Sequence, residues 1–207
     1  VRSWANLTGG RELTMAYTTL SDVREYLGLD VADTGDDTLL GNFIVQAQAF
    51  IDHYCRRSFE SVTETRYYDA IEDVVDGMLI LDKDLLTITT LTVNGSTIAS
   101  TAYTLLPRNM SPQAAITLKP SSGKTWAYTT DSEDAISIAG TWGYSTSAPS
   151  DIVYAIIRLV AYFYRKKDAQ VFEDTAFAQA GVVTVPKGTP KDVLDILNQY
   201  RRRRILS

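Results

Sequence analysis

Cysteine and histidine each occur once in the 207 residues, as Cys55 and His53. A single cysteine excludes an internal disulfide and suits a chain that folds in a reducing cytoplasm. At i and i+2 the two residues point to different sides of a helix, so they do not chelate one zinc; a packed cysteine and a surface histidine are expected. With one histidine, a hydrolase triad is open only through distant contacts, and nothing signals one. An excess of positive charge is also lacking. The 20 Lys and Arg stand against 25 Asp and Glu, a net charge of −5, so the chain as a whole is not built to hold nucleic acid by bulk charge. No signal peptide is visible, and the most apolar stretch is interrupted by Arg158, leaving it too short for a bilayer. Internal repeats and low-complexity tracts are absent.

What is present is ordinary for a globular protein: 45% hydrophobic and 22% charged residues, and a length that suits one domain or one domain with an insertion. The first residue is Val1, whereas Met15 opens a more natural start, so residues 1–14 are expected to be a loosely held extension. The stretch that organises the chain is Pro149 to Lys167. Ser150 or Asp151 supplies an N-cap, an almost all-round apolar run follows, and Arg165, Lys166 and Lys167 close it where the helix dipole favours cations. An apolar run of this kind predicts a central helix against which the rest packs.

Ahead of it, Thr19 or Ser21 caps a short helix, Asp22 to Leu27, ended by Gly28. The polar loop Asp30 to Asp37 leads into a second helix whose stripe runs from Leu39 to Cys55. From Val62 the period changes to that of strands. Val62–Tyr68, Met78–Leu81, Leu86–Val93, Ser96–Ala99, Tyr103–Leu106, Ala115–Leu118, Thr125–Tyr128 and Ala135–Tyr144 are predicted, with Asn94-Gly95 as a type I′ hairpin turn. After the central helix, Asp168 to Gly188 shows no clear period, and Thr189-Pro190 starts a last helix with Val193, Leu194, Ile196, Leu197 and Tyr200 on its apolar face. The expected fold is α+β: a small all-α bundle of about four helices, residues 15–62 and 148–207, with an antiparallel β module, residues 63–147, inserted between the second and central helices.

The chemical motifs fail one by one. Pro120 to Thr125, PSSGKT, ends like a phosphate loop but has Leu118 where the first glycine belongs, and it lies between strands, so a solvated hairpin loop is the better reading. The acidic groups Asp30/Asp33/Asp36/Asp37 and Glu72/Asp73/Asp76 lack the alternating calcium-loop pattern and read as capping residues and a charged turn. Tyr67, Tyr68, Trp126, Tyr128, Trp142 and Tyr144 would suit a stacking platform for sugars or bases, but few basic residues lie among them, and packing or subunit contact is favoured. No catalytic residue, cofactor site or metal site is assigned, and an enzyme is not expected.

Two segments remain. Arg201 to Arg204 with Ile205 and Leu206 exceed what dipole compensation needs. A tail docking into a partner is ranked first, a solvated helix end second and phosphate binding third. The long aperiodic segment, with Phe172, Phe177, Val182, Val183 and Val185, is expected to order against a neighbouring subunit.

Five stretches carry a family resemblance: TLSDVREYLGL (19–29), DDTLLGNFIVQAQAFIDHYCRRSF (36–59), RYYD (66–69), GTWGYSTSAPSDIVYAIIRLVAYFYRK (140–166) and GTPKDVLDILNQYRRRR (188–204). In this order they resemble the head–tail connector, or adaptor, proteins of long-tailed phages, the DNA-packaging or head-completion proteins. The resemblance implies a helical bundle assembled as a dodecameric ring under the portal protein, made in the host cytoplasm and sited at the neck of the virion. It further implies that the ring extends the channel through which genomic DNA passes without sequence-specific binding, and that it receives a stopper or tail-completion protein. The family's C-terminal segment reaches into the portal; here that is Tyr200, Arg201, Arg202, Arg203, Arg204, Ile205 and Leu206. No membrane partner is implied. The alternative is a DNA-packaging factor that binds nucleic acid through the arginine-rich C-terminus.

Overall fold

The computed structural model describes residues 17–30, 32–168 and 188–202. Among them are four α-helices and a seven-stranded antiparallel sheet. The chain divides into two compact units. The first takes the residues up to Ile51 and Ser150–Leu197, the second Asp52–Pro149 and those from Asn198 on.

In the first unit, α1 (Leu20–Leu27) begins two residues before the expected start because Thr19 closes a capping box. The Thr19 hydroxyl accepts from the Asp22 amide, and the Asp22 carboxylate accepts from the Thr19 amide. Gly28 ends the helix at φ 70°, the left-handed conformation its missing Cβ permits. α2 (Asp37–Cys55) contributes Leu40, Ile44, Ala47 and Ile51 to the core, and α4 (Lys191–Tyr200) contributes Val193 and Leu197. α3 (Ser150–Asp168) buries Ile152, Ala155, Ile156, Leu159, Val160 and Ala161. Its apolar character all round is corrected in part: Tyr154 is 46% exposed, and Val153 and Ile157 are half-buried on its flanks. A residue the sequence pattern did not single out organises the polar loop. Arg24, buried, pairs with Asp37 at 2.5 Å and donates to the backbone carbonyls of Asp30 and Asp33.

The second unit holds the sheet, in the order β1 (Val62–Tyr68), β7 (Ile136–Trp142), β3 (Met78–Val93), β6 (Gln113–Leu118), β5 (Tyr103–Leu106); β2 (Val74–Val75) and β4 (Ser96–Ile98) also pair with β3. β7 lies between β1 and β3, with Val62 and Leu85 both opposite Trp142 and with Tyr68 and Val93 both opposite Ile136. Alternation along β7 buries Ile136, Ile138, Gly140 and Trp142 on one face. With Leu79, Leu81, Leu85, Leu91, Ile98 and Ile116 they form a core that belongs to the sheet itself. The sheet, with its own core, therefore outweighs the helical part, and the expectation that everything packs on the central helix is corrected.

Three strand expectations change as well. Met78–Leu81 and Leu86–Val93 are one 16-residue strand, because the gap left between them is a register slip between Ile80 and Leu85. Thr125–Tyr128 is not a strand; after the left-handed Gly123 it runs irregularly, and the Trp126 indole N–H donates to the Gly77 carbonyl at 3.0 Å. The two-residue β2 carries no alternation long enough to be seen in sequence. Asn94 and Gly95 do adopt positive φ, 47° and 73°, as a type I′ turn requires.

Candidate functional site

Charges placed in the middle of a strand need partners, and those of β3 have them. Asp82 accepts from Arg66 of β1 and from the Tyr68 hydroxyl, the latter at 2.8 Å; Arg66 also reaches Glu64 at 2.6 Å and lies over the Trp142 ring at 5.6 Å. Burial pushes Asp82 upward, but the hydrogen bonds from Arg66 and Tyr68 prevail and hold its carboxyl below the ordinary carboxylate range. Tyr68 moves up, first through burial and then through the Asp82 charge.

Asp84, two residues on, is only 4% exposed. Two cations face it, Arg57 Nε at 3.3 Å and Arg202 Nε at 3.5 Å. Neither Arg57 Nε nor Asp84 Oδ2 has a hydrogen-bond partner, so the Arg57 contact is a charge pair without alignment. Burial raises the Asp84 carboxyl above its ordinary range, and the two guanidiniums pull against that rise.

Arg202 does more than face Asp84. Its guanidinium donates to the carbonyl of Leu81 at 2.7 Å and to that of Asp82, and its backbone N–H donates to the Cys55 carbonyl at 2.9 Å. Leu81 and Asp82 lie within the register slip of β3, between Ile80 and Leu85. Tyr200 meets Phe59 and Tyr144 edge-on, with ring centroids 5.6 Å and 5.5 Å away, and Arg57 lies over the Tyr144 ring at 4.8 Å. Arg201 lies over Tyr54, whose hydroxyl donates to Asn198 at 2.8 Å. Residues 198–202 are thus fixed at several points on the second unit.

Of the C-terminal residues singled out in sequence, the structure places Tyr200, Arg201 and Arg202 here; Arg203, Arg204, Ile205 and Leu206 lie outside the described residues, as do Phe172, Phe177, Val182, Val183 and Val185. Sequence reasoning missed Arg57, Asp82 and Asp84. The available signal was the pair of aspartates between Leu81 and Leu85, charges that a buried strand keeps only if they are matched.

The aromatic residues do not form one platform. Trp142 is fully buried and donates to the Glu64 carbonyl at 3.1 Å, Tyr68 and Tyr144 pack internally, and Tyr67 is 61% exposed. PSSGKT opens with one turn of 3-10 helix, Pro120–Ser122, and leads to β7; because β6 and β7 are not neighbours in the sheet, the expected hairpin loop is corrected to a crossing connection. His53 is exposed and Cys55 is buried, its thiol pushed by burial up to about 11. Asp69 accepts the amides of Ile71 and Glu72, so the second acidic group is a capped turn. Among the described residues no group of His, Cys, Asp and Glu could hold a metal ion, and no helix is long and apolar enough to cross a membrane.

The family model described as head completion protein matches residues 16–203. Among solved structures, a chain in the neck of an empty GTA particle computed with C6 symmetry is similar at a TM-score of 0.55 and 18% identity, covering 91% of this chain and 91% of that chain. A chain of the virion of the native gene transfer agent (GTA) particle is similar at 0.54 and 19%, with 91% of each covered. One in the neck of the native GTA particle computed with C12 symmetry is similar at 0.53 and 19%, covering 92% of this chain and 96% of that one. These likenesses establish a shared fold. No curated protein matches the chain.

Proposed function

Since this chain belongs to the head completion protein family, we propose that it is a virion protein of the adaptor kind, which assembles as a ring under the portal, extends the DNA channel and receives a stopper or tail-completion protein. The observation that carries this reading is the family match over residues 16–203, nearly the whole chain. Two of the similar structures are necks computed with C6 and C12 symmetry, which supports a ring of twelve copies built through a head-to-tail contact that closes. A net charge of −5 suits a channel wall that must let DNA slide without holding its phosphates.

In this proposal the helical part, residues 15–62 and 148–207, and the β module, residues 63–147, have separate tasks. The segment Tyr200 to Leu206 docks on the portal, and Phe172, Phe177, Val182, Val183 and Val185 meet a neighbouring subunit. No step of this function calls for catalysis or a cofactor. The rival reading, a nucleic-acid tail, gains no support from the geometry, since Arg202 is engaged by β3.

The test is capture of the protein by the purified portal ring of the same virus. Full-length protein binds; protein lacking Arg203–Ser207 keeps its helical and sheet circular dichroism but does not bind. Equal capture of the truncated protein would remove the docking role from the tail.

A further inference from the structure

Arg201 and Arg202 are not equivalent. We propose that Arg202 is a positioning residue that locks the chain to the sheet and fixes the point from which the docking segment, beginning at Arg203, departs. This rests on the portal-docking reading and narrows it: Tyr200 to Arg202 anchor the tail, and the residues from Arg203 to Leu206 are left to meet the portal.

The lock has three independent parts. The Arg202 amide is held by the Cys55 carbonyl at 2.9 Å. Its guanidinium spans the Leu81 carbonyl, the Asp82 carbonyl and the Asp84 carboxylate, and the side chain is left only 14% exposed. The planar fork of an arginine can address two carbonyls and a carboxylate together; the point charge of a lysine cannot. The third part is Tyr200, seated edge-on between Phe59 and Tyr144.

Asp84 makes the arrangement selective. A buried carboxylate is costly unless it is paired, and its contact with Arg57 is not aligned as a hydrogen bond. Arg202 is the second cation it draws in. Arg201 points elsewhere, over Tyr54, so of the two described arginines of the run it is Arg202 that reaches the slip in β3. A chain already fixed through Arg202 has less conformational freedom to lose when the next residues bind a partner, which raises affinity without any contact between Arg202 and that partner.

The experiment combines amide hydrogen exchange of the full-length protein with its affinity for the purified portal ring. Removing Arg202 leaves Asp84 short of a cation, so Arg202→Ala is made alone and also with Asp84→Asn, which keeps a folded variant available if the single one unfolds. In the double variant, exchange at residues 200–202 rises about tenfold or more while β3 and β7 keep their protection, and portal affinity falls about tenfold. Arg202→Lys is intermediate in both. A protein ending at Arg202 keeps the slow exchange and loses portal binding. Unchanged exchange at residues 200–202 in the double variant overturns the lock; faster exchange with full portal affinity overturns its positioning role. Full binding by the protein ending at Arg202 overturns the docking reading itself, and the exchange readout separates that failure from a failure of the lock.

Discussion

Arg66 serves two carboxylates from an edge strand, Asp82 across the sheet and Glu64 on its own strand. Both are held below their ordinary values of 3.8 and 4.5. For Asp82 burial opposes the shift and Arg66 overrides it; for Glu64 the Arg66 hydrogen bond is the leading cause. A carboxyl whose folded value is depressed adds stability above its unfolded value and loses it as the pH falls through the folded one. The melting temperature of the protein is therefore expected to hold down to about pH 4.5 and to drop below it. Arg66→Met lowers the melting temperature at pH 7 and flattens the acid drop, since the two carboxyls return toward their ordinary values. Asp84 has the opposite sign: its raised value gives stability that is present below 3.8 and lost as the pH rises through the folded value, and Arg66→Met leaves it in place. Thermal melts from pH 7 to pH 3 decide the matter, and an unaltered acid limb in the variant contradicts it. At this scale the sequence was a partial guide. Thr19, Gly28, Cys55 and His53 could be read from local rules, because caps and helix faces depend on near neighbours. Arg24, Arg57 and Arg202 could not, because their partners are brought to them by loop and strand geometry.

Along β7 the limiting feature is space. At Gly140 a Cβ would sit on the Thr87 carbonyl oxygen, between two register slips of β3, one from Leu85 to Thr87 and one from Ile88 to Thr90. Backbone cannot yield there as the end of a flexible side chain would. Gly140→Ala is expected to cost about 1–3 kcal/mol, the usual range for overpacking a filled core, read as a lower midpoint in urea with an unchanged slope. A wild-type midpoint would show that the two strands do not approach so closely. Strand existence was largely legible in the Thr, Val and Ile alternation, and Val62–Tyr68 and Tyr103–Leu106 fall where that pattern places them. The misses share one cause. The charged stretch Asp82-Lys83-Asp84 falls between two expected strands and Thr125–Tyr128 imitates a strand, and in both cases a tertiary hydrogen bond outweighs local preference: Arg202 holds the first segment and Gly77 the Trp126 side chain of the second. The weight of the sheet, with its own core around Trp142, was hidden for a related reason. Alternation marks which side of a strand is buried, but not how many strands share one core.

For the whole molecule, the buried charges Arg24 and Asp84 hold segments together. Asp84 joins the chain around Arg57 to that around Arg202 within one unit, as a part required to keep its shape in an assembly would need. Family membership was legible because helix landmarks and their order survive where individual contacts do not, and 18–19% identity with neck chains of the same fold shows how little identity that order needs. The candidate site was legible only as a run of arginines; the division of tasks within it depends on a slip in β3 that no local pattern announces. The measurement that bears most directly on the central claim is electron microscopy of the full-length protein mixed with the portal ring of its own virus. The account predicts a collar of added density following the portal's symmetry, attached through the C-terminal segment. Portal rings without added density, in the presence of folded protein at micromolar concentration, would contradict it.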